Sequence, residues 1–596
     1  MKDNLLQRDH TLLSPCSISE TRITWFFWGS FVLFLLCYAL RPIQDLDFWW
    51  HLKSGEVMVQ NGGLLSSDPF TFSGNGVVAI REALILKGYW LWELMAYGLY
   101  VLFGLNGIFL LNFLTVSAVA GVAFVEMRRQ RSDSLLVILL LSLGCSLMSA
   151  TYALERPQMV SFLLAALLVG LLARVRDGGR LGWSLPLLMC VWANVHGGFV
   201  VGDLILLAFA AGAVVEYRHD LARLRPLLLW IGLGLCASFL NPNGWLVFGE
   251  LLGFTSSTLM IDVSEYQSTW ARFQEGYWSV TILWLLVALY VVTVWRARRL
   301  FWPELFVALF LAGFSVAYVR NIGFFAVAML PPIAFYLQQG KGLPIVRLPS
   351  LYRSLLFMVA ALLLLWQAND SWQQRRKEGA ISPSFYADSA QFIATSGIQG
   401  QMLNSYNSGG YLLWKLYPQH RVFIDGRGLD AGVYQDLRSM ISASLKEIEG
   451  RKEFEVLLDR YHIDYVIQPH SYQPSTGRLT PLLKFLLVKP EWIPVYVDAQ
   501  VFILVRTSEV NAAVIEHYQM DKRLFASKLI GFLTDSCKGG AEQVVNHVSL
   551  AEMLIFTGRY REAEERLKII ARMQPDNPSL TALSSQLEVL RNSRTP

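Results

Sequence analysis

The chain has 596 residues, 54% of them hydrophobic and 16% charged, with a formal charge of +5. Soluble domains carry about 25% charged residues, so an ordinary soluble enzyme is excluded over most of the length, and no strongly basic domain marks a nucleic-acid binder. Of six cysteines, Cys16, Cys37, Cys145, Cys190 and Cys236 lie in the N-terminal tail or apolar runs, and only Cys537 lies beyond, so neither a disulfide framework nor a metal-ligand spacing is expected.

After a polar start, an apolar run opens at Ile23 with no small-residue cleavage site behind it, and reads as a retained first span. A span needs about 20 apolar residues. That length predicts roughly eleven spans, near 23–40, 106–126, 134–151, 159–173, 183–195, 199–215, 226–240, 279–295, 301–318, 322–338 and 352–367. Basic residues fix the orientation. One set of loops carries Arg128, Arg129, Arg131, Arg174, Arg176, Arg180, Arg218, Arg223, Arg225, Arg296, Arg298, Arg299, Lys341, Arg347 and Arg353. The opposite short loops carry only Arg156, Arg272 and Arg320. The N-terminus is therefore expected in the cytoplasm and the C-terminus outside, in a multi-pass membrane protein. Gly88–Phe103 is read as an interfacial helix, since a further span there would turn Met127–Arg131 outward. The first outer loop then runs over residues 41–106.

That loop opens RPIQDLDFWWHLKSGE. Asp47 and His51 lie four apart and share a face if helical, and Trp49 and Trp50 are placed to anchor the segment at the interface. A carboxylate here can act as general base toward an acceptor. Equally, Asp45 and Asp47 can cap a juxtamembrane helix. Asp68, in SSDPFTF, reads as a turn. Glu82 and Glu93 are the remaining acidic candidates in the loop.

Further polar groups fall on the same face. Glu155–Gln158 (ERPQ) joins spans three and four, and WANVHGGFVVGD places Asn194, His196 and Asp203 at the outer boundary. NPNGW (Asn241–Trp245) follows span seven, and Arg320 lies between spans nine and ten. An ionisable residue in the bilayer is a functional candidate, although Asp203 can also join helices. Arg156 and Arg320 can clamp a phosphate or snorkel at helix ends.

Beyond residue 368 the composition becomes that of a soluble protein. MLNSYN and RVFIDGR read as strands around an amphipathic GGYLLWKLYP; KEFEVLLDRYHI reads as a helix leading into the strand DYVIQP; Pro494–Val497 and Val501–Val505 read as a hairpin. This is a small α/β domain over 368–510. Asn407–Gly410 suits either a phosphate at a helix start or a tight turn with an N-cap. Residues 511–596 read as helical, and Ala551, Gly558, Tyr560, Ala563 and Pro575 match one tetratricopeptide repeat; one repeat is too few to stand alone, so it is expected to pack on the α/β domain or on a protein partner.

The layout of residues 20–340 resembles the GT-C superfamily of polytopic glycosyltransferases: one span, a long outer loop opening on acidic residues, an interfacial helix, a glycine-containing turn (Gly104–Gly107) and a second span ending in Arg-Arg. DFWWHLKSGE, ERPQ, NVHGG, NPNGW, NSGGYLLWKLYP and RVFIDGR also resemble a group of large bacterial membrane proteins described as glycosyltransferases. The resemblance implies a transmembrane domain over 1–367 and a sugar donor on a polyprenyl phosphate. It implies Asp47 as catalytic base, with Asp45 the close alternative and His51 in support. Arg156 or Arg320 would hold the donor phosphate, and Asn194, His196 and Asp203 would line the cavity. Many members carry a second acidic residue near the interfacial helix; Tyr89-Trp90-Leu91 stands there, leaving Glu82 or Glu93 and a divalent metal as an open possibility. The resemblance also implies a bacterial inner membrane, whose lipids are the expected surroundings. A transporter or flippase of a lipid-linked or polysaccharide substrate, and a non-enzymatic assembly scaffold, are the competing readings.

Overall fold

The computed structural model describes residues 18–74, 80–130, 132–247, 266–297, 299–339, 348–448, 450–471, 476–538 and 543–592. These divide into two compact units. The first comprises Met1–Asp45, Ser54–Leu65 and Ala83–Ser382; the second comprises Leu46–Lys53, Ser66–Glu82 and Pro383–Pro596. The first loop is thus shared between them, and the division passes between Asp45 and Leu46.

The first unit is helical: α1 (Ile18–Ala39), the later part of α2 (Phe48–Asn61), most of α3 (Ile80–Gly88), α4 (Trp90–Phe103), α5 (Leu105–Arg129), α6 (Ser134–Thr151), α7 (Gln158–Arg176), α8 (Ser184–Val195), α9 (Phe199–Tyr217), α10 (Leu221–Ala237), α11 (Thr269–Gln274), α12 (Trp278–Arg296), α13 (Trp302–Ala317), α14 (Ile322–Ala328), α15 (Leu330–Gln339) and α16 (Ser350–Glu378). Six of these, α1, α5, α7, α9, α12 and α16, are long and apolar enough to cross a membrane. A seventh crossing is supplied if Val319–Ala328 and α15, bent by 47° to each other, form one broken span. The chain is a multi-pass membrane protein. The expected segments at 134–151, 183–195 and 301–318 are helical but shorter apolar helices, and α10 carries Pro226 inside it. The last helix continues past residue 367 to Glu378.

Apolar side chains cannot drive helices together inside lipid, so close packing must. Glycines supply it here. A Cβ on Gly202 would strike Trp192, one on Gly212 would strike Pro303, and one on Gly323 would strike Phe162. Phe27, Phe34, Phe162, Trp192 and Phe324 are fully or almost fully buried in the resulting core.

The second unit holds a four-stranded sheet of order β1-β4-β6-β5, with β1 (Gln401–Asn404), β4 (Ile463–Pro469), β5 (Trp492–Val497) and β6 (Val501–Arg506), beside a short hairpin of β2 (Glu447–Ile448) and β3 (Arg451–Lys452). β1 and β4 are parallel, while β4–β6 and β5–β6 are antiparallel. The hairpin and the helix–strand succession read from the sequence are present, but RVFIDGR is not a strand. Val422 makes a single bridge with Thr71. Beyond it the backbone of Phe423 and Ile424 bonds to the Asn404 side chain, which accepts from Phe423 N at 2.8 Å and donates to Ile424 O at 2.7 Å. A side chain has replaced the ladder. Helices Gln543–Phe556, Tyr560–Met573 and Pro578–Asn592 follow. Buried Glu552, on the first of them, accepts from Arg478 at 2.8 Å, Leu479 N at 2.8 Å and Lys484 at 2.7 Å, which lie just before and on the helix Pro481–Val488.

Candidate functional site

Two of the sequence motifs interlock in the first unit. Glu155, in the turn between α6 and α7, accepts the backbone N–H of Gln44 at 2.6 Å and that of Asp45 at 3.1 Å through the same oxygen. Its neighbour Arg156 forms an ion pair with the Asp45 carboxylate. So Glu155 fixes the backbone of the acidic motif while Arg156 fixes its side chain. Burial and the nearby negative charge of Asp45 raise the pKa of Glu155.

A histidine completes the basic side. His196 stands between α8 and α9, and its Nδ1 accepts Gly198 N–H at 2.9 Å. The Ser161 hydroxyl lies 2.7 Å from the same nitrogen and itself accepts the Trp192 indole N–H at 2.8 Å. A nitrogen that accepts a backbone N–H carries no proton, so the imidazole proton sits on Nε2. Burial lowers the pKa of His196 to about 3, aided by the charges of Arg320 and Arg156. Both guanidiniums therefore act on one imidazole. Gly198 is required here, since a Cβ would collide with His196 Nδ1 and Ser161 Oγ. Arg320 donates to the Tyr266 hydroxyl at 2.5 Å, and its carbonyl accepts from Tyr152 at 3.1 Å and Gln158 at 2.9 Å.

The other candidates divide between the units. Asn194 is spent on structure: it accepts the Trp90 indole N–H at 3.0 Å and donates to Cys190 O at 2.8 Å and Leu240 O at 2.7 Å. Asp203 is 4% exposed within α9; Ser238 donates to one of its oxygens at 3.1 Å, and the other has no hydrogen-bond partner among the described residues. Glu93 is buried on α4, whose backbone at that residue lies against Gly55 of α2.

In the second unit Asp47 accepts the Trp50 indole N–H at 3.2 Å and lies against Gly426, where a Cβ would strike its carboxylate. His51 is buried and donates its backbone N–H to Asp47 O at 3.3 Å. Trp49 and Trp50, expected at a lipid interface, are 1% and 4% exposed. Trp49 packs edge-on to Phe385 and Tyr411, and Gly410 lets helix Gly409–Leu416 approach the Leu46 carbonyl and Trp50. Gly409 is equally close-packed, against the Ile424 carbonyl and Asp425. The two glycines therefore serve close approach. Glu82 accepts Asp68 N–H at 2.7 Å. Asp68 forms the expected turn, accepting Phe70 and Thr71 N–H, and pairs with buried Arg427, which also binds Asp425.

Two contributors were not singled out from the sequence. Arg41 donates to Ser371 and to the Ser149 carbonyl, and Asn112, 3% exposed, stands in the N-terminal third of α5. A lone amide within an apolar run is the signal that marks Asn112. Among the described residues no group of three or more His, Cys, Asp or Glu side chains is placed to hold a metal ion.

No protein-family model and no curated protein matches the chain. Solved structures do. It is similar to ArnT from Cupriavidus metallidurans bound to undecaprenyl phosphate (14% identity, TM-score 0.48, 82% of this chain and 99% of that one). It is similar to the archaeal oligosaccharyltransferase AglB from Archaeoglobus fulgidus in complex with an inhibitory peptide and a dolichol-phosphate (12%, 0.46, 83% and 77%). It is also similar to the arabinofuranosyltransferase AftD from Mycobacteria (16%, 0.43, 82% of this chain but 40% of that one). At these scores the likeness is one of layout and assigns no residue a role.

Proposed function

We propose that the chain transfers a sugar from a polyprenyl-phosphate donor to a lipid, glycan or protein acceptor at the outer face of a bacterial inner membrane. The observation that carries this reading is the lock between Asp45, Glu155 and Arg156, with Arg320 close enough that both guanidiniums act on His196. It sets a carboxylate motif beside the Arg156 guanidinium, a charge of the kind that a departing lipid phosphate requires.

In this reading Asp47 takes the proton from the acceptor nucleophile. That nucleophile attacks the anomeric carbon, the bond from that carbon to the phosphate oxygen breaks, and the lipid phosphate leaves with the electron pair. The anomeric configuration inverts. Arg156 and Arg320 neutralise the phosphate, Asp45 positions Arg156, and His196 stays neutral between them. The four shorter helices α6, α8, α10 and α13 complete eleven spans around this centre, with the N-terminus cytoplasmic. The soluble region faces outward, and the helix pair Gln543–Phe556 and Tyr560–Met573 serves as a tetratricopeptide-like unit for a protein partner.

A general base is worth about 10²–10⁴ in rate. Cells carrying only Asp47→Asn are therefore expected to lose the glycan or glycolipid product about a hundredfold, as read by mass spectrometry of lipids and glycans, at an unchanged level of protein. Unchanged product would sink the base assignment, and loss in Asp45→Asn alone would transfer the role to Asp45. Movement of a lipid-linked substrate is the second reading, favoured by the Asp203 oxygen inside α9 that has no hydrogen-bond partner among the described residues. It predicts that Asp203→Asn, not Asp47→Asn, abolishes the cellular phenotype.

A further inference from the structure

The NPNGW motif takes no part in the proposed chemistry, yet its contacts end beside His196. It forms the turn Asn241–Trp245 behind α10, and Asn241 closes that turn. The Asn241 amide donates to Ser238 O at 2.7 Å, and its side-chain oxygen accepts Asn243 N–H at 2.8 Å and Gly244 N–H at 3.0 Å. The Asn243 side chain, 7% exposed, reaches out of the turn to α3 and donates to Leu84 O at 3.1 Å. A backbone carbonyl has two lone pairs, so this contact need not disturb the helix.

Asn194 grips the other side of the same junction. From the end of α8 it accepts the Trp90 indole N–H at 3.0 Å, and its amide donates to Leu240 O at 2.7 Å, one residue before the turn. Two asparagines that share the end of α10 therefore hold α3 through Leu84 and α4 through its first residue. Between Gly88, which ends α3, and Trp90, which opens α4, stands Tyr89 alone. The Tyr89 ring lies 5.5 Å from the ring of His196. That imidazole cannot turn, because its Nδ1 holds Gly198 N–H, so Tyr89 sets the room left beside it. The other end of α4 is built differently. Val101, Leu102 and Phe103 are exposed and apolar there, as on an interfacial helix, and Gly104 follows with φ 58°, a conformation that glycine adopts without strain. α4 thus has a glycine joint at one end and a polar clamp at the other.

We propose that Asn194 and Asn243 are positioning residues: they clamp the α3–α4 junction so that Tyr89 stays against His196, and the site is competent only while the clamp is closed. The second half of this statement rests on the transferase reading; the clamp itself does not. Ala96, fully buried on α4, serves as the reporter. Alkylation of a buried thiol follows the population of the open state. Full-length Ala96→Cys in nanodiscs is treated with N-ethylmaleimide, and labelling above the parent's background is read by intact mass. Ala96→Cys alone is expected to label slowly and to keep the parental glycan or glycolipid product in cells. Adding Asn243→Asp, which keeps the shape but removes the donor, or Trp90→Phe, which removes the indole N–H, is expected to speed labelling about fivefold, the worth of one hydrogen bond. The melting temperature should stay near the parental value, and product should fall about tenfold or more, since displaced groups at a site lose rate steeply. The proposal is overturned if neither variant labels faster, or if labelling speeds up while product stays at the parental level. Failure of the transferase reading has another signature: product is then unchanged in Asp47→Asn as well, while the clamp variants still label faster.

Discussion

His196 shows how a single side chain can be fixed in one protonation state. Burial comes first, and the two guanidiniums add to it, so that its pKa falls to about 3. The unfolded chain, with an ordinary histidine value near 6.5, takes up a proton that the folded protein refuses. The sign follows directly: stability is complete above about pH 6.5 and is lost as pH falls toward 3. Replacing His196 by Gln keeps a neutral acceptor and removes the titration. Between pH 7 and 5 the melting temperature of the parent in detergent is expected to fall further than that of His196→Gln. Equal falls would show that the imidazole is protonated in the fold. Glu155 works in the opposite sense. Its raised pKa makes the ionised form the costly one, and the amides of Gln44 and Asp45 offset part of that cost.

At the scale of elements, the loop Asp425–Arg427 is a platform for the start of α2. Arg427 is fully buried between Asp425 and Asp68, and its pKa is pushed up because two carboxylate charges outweigh its burial. Losing one partner of such a buried pair typically costs about 3–5 kcal/mol, which makes the loop stiff. Gly426 stands at its tip against Asp47, and the Tyr406 hydroxyl donates to its carbonyl at 2.8 Å. Gly426→Ala is therefore expected to push the Asp47 carboxylate aside. Product should fall at least tenfold in cells with wild-type levels of folded protein, and the melting temperature should change little. Full activity in this variant would remove Asp47 from the chemistry, since the base must hold its position to within hydrogen-bond reach. The element Gly409–Leu416 earns its two glycines in the same way, through close contact with neighbouring backbone.

For the whole molecule the test is sidedness. Lys446 in the second unit and Arg223 at the start of α10 both have exposed side chains. A membrane-impermeant maleimide added to intact spheroplasts is expected to label Lys446→Cys above the parent's background and to label Arg223→Cys only after lysis. The reverse pattern would invert the topology and place the acidic motif in the cytoplasm, where the proposed transfer has no outer-face acceptor. Inside the second unit, Glu552 joins the helix Gln543–Phe556 to the helix Pro481–Val488 and the segment before it through Lys484 and Arg478, whose charges outweigh its burial and lower its pKa.

The membrane character and the hairpin at Pro494–Val505 were legible from the sequence because both rest on local periodicity and composition. The acidic motif and ERPQ were likewise legible as unusual polar groups beside apolar runs. Tertiary structure decided what those groups do. Asp45 meets Arg156 across 111 positions, Asp68 meets Arg427 across 359, and Val422 pairs with Thr71 instead of joining the sheet. No local pattern encodes such pairings, because side-chain charge acts through space. Only the packed helices show that Asp45 and Asp47, two residues apart, have their contacts in different units, or that Asn112 lines a chamber. Length, composition and loop charge determined that the chain crosses a membrane, since burying apolar runs in lipid needs no particular partner. Which polar groups meet was left to the fold, since a buried charge or amide is tolerated only where distant parts of the chain come together to satisfy it.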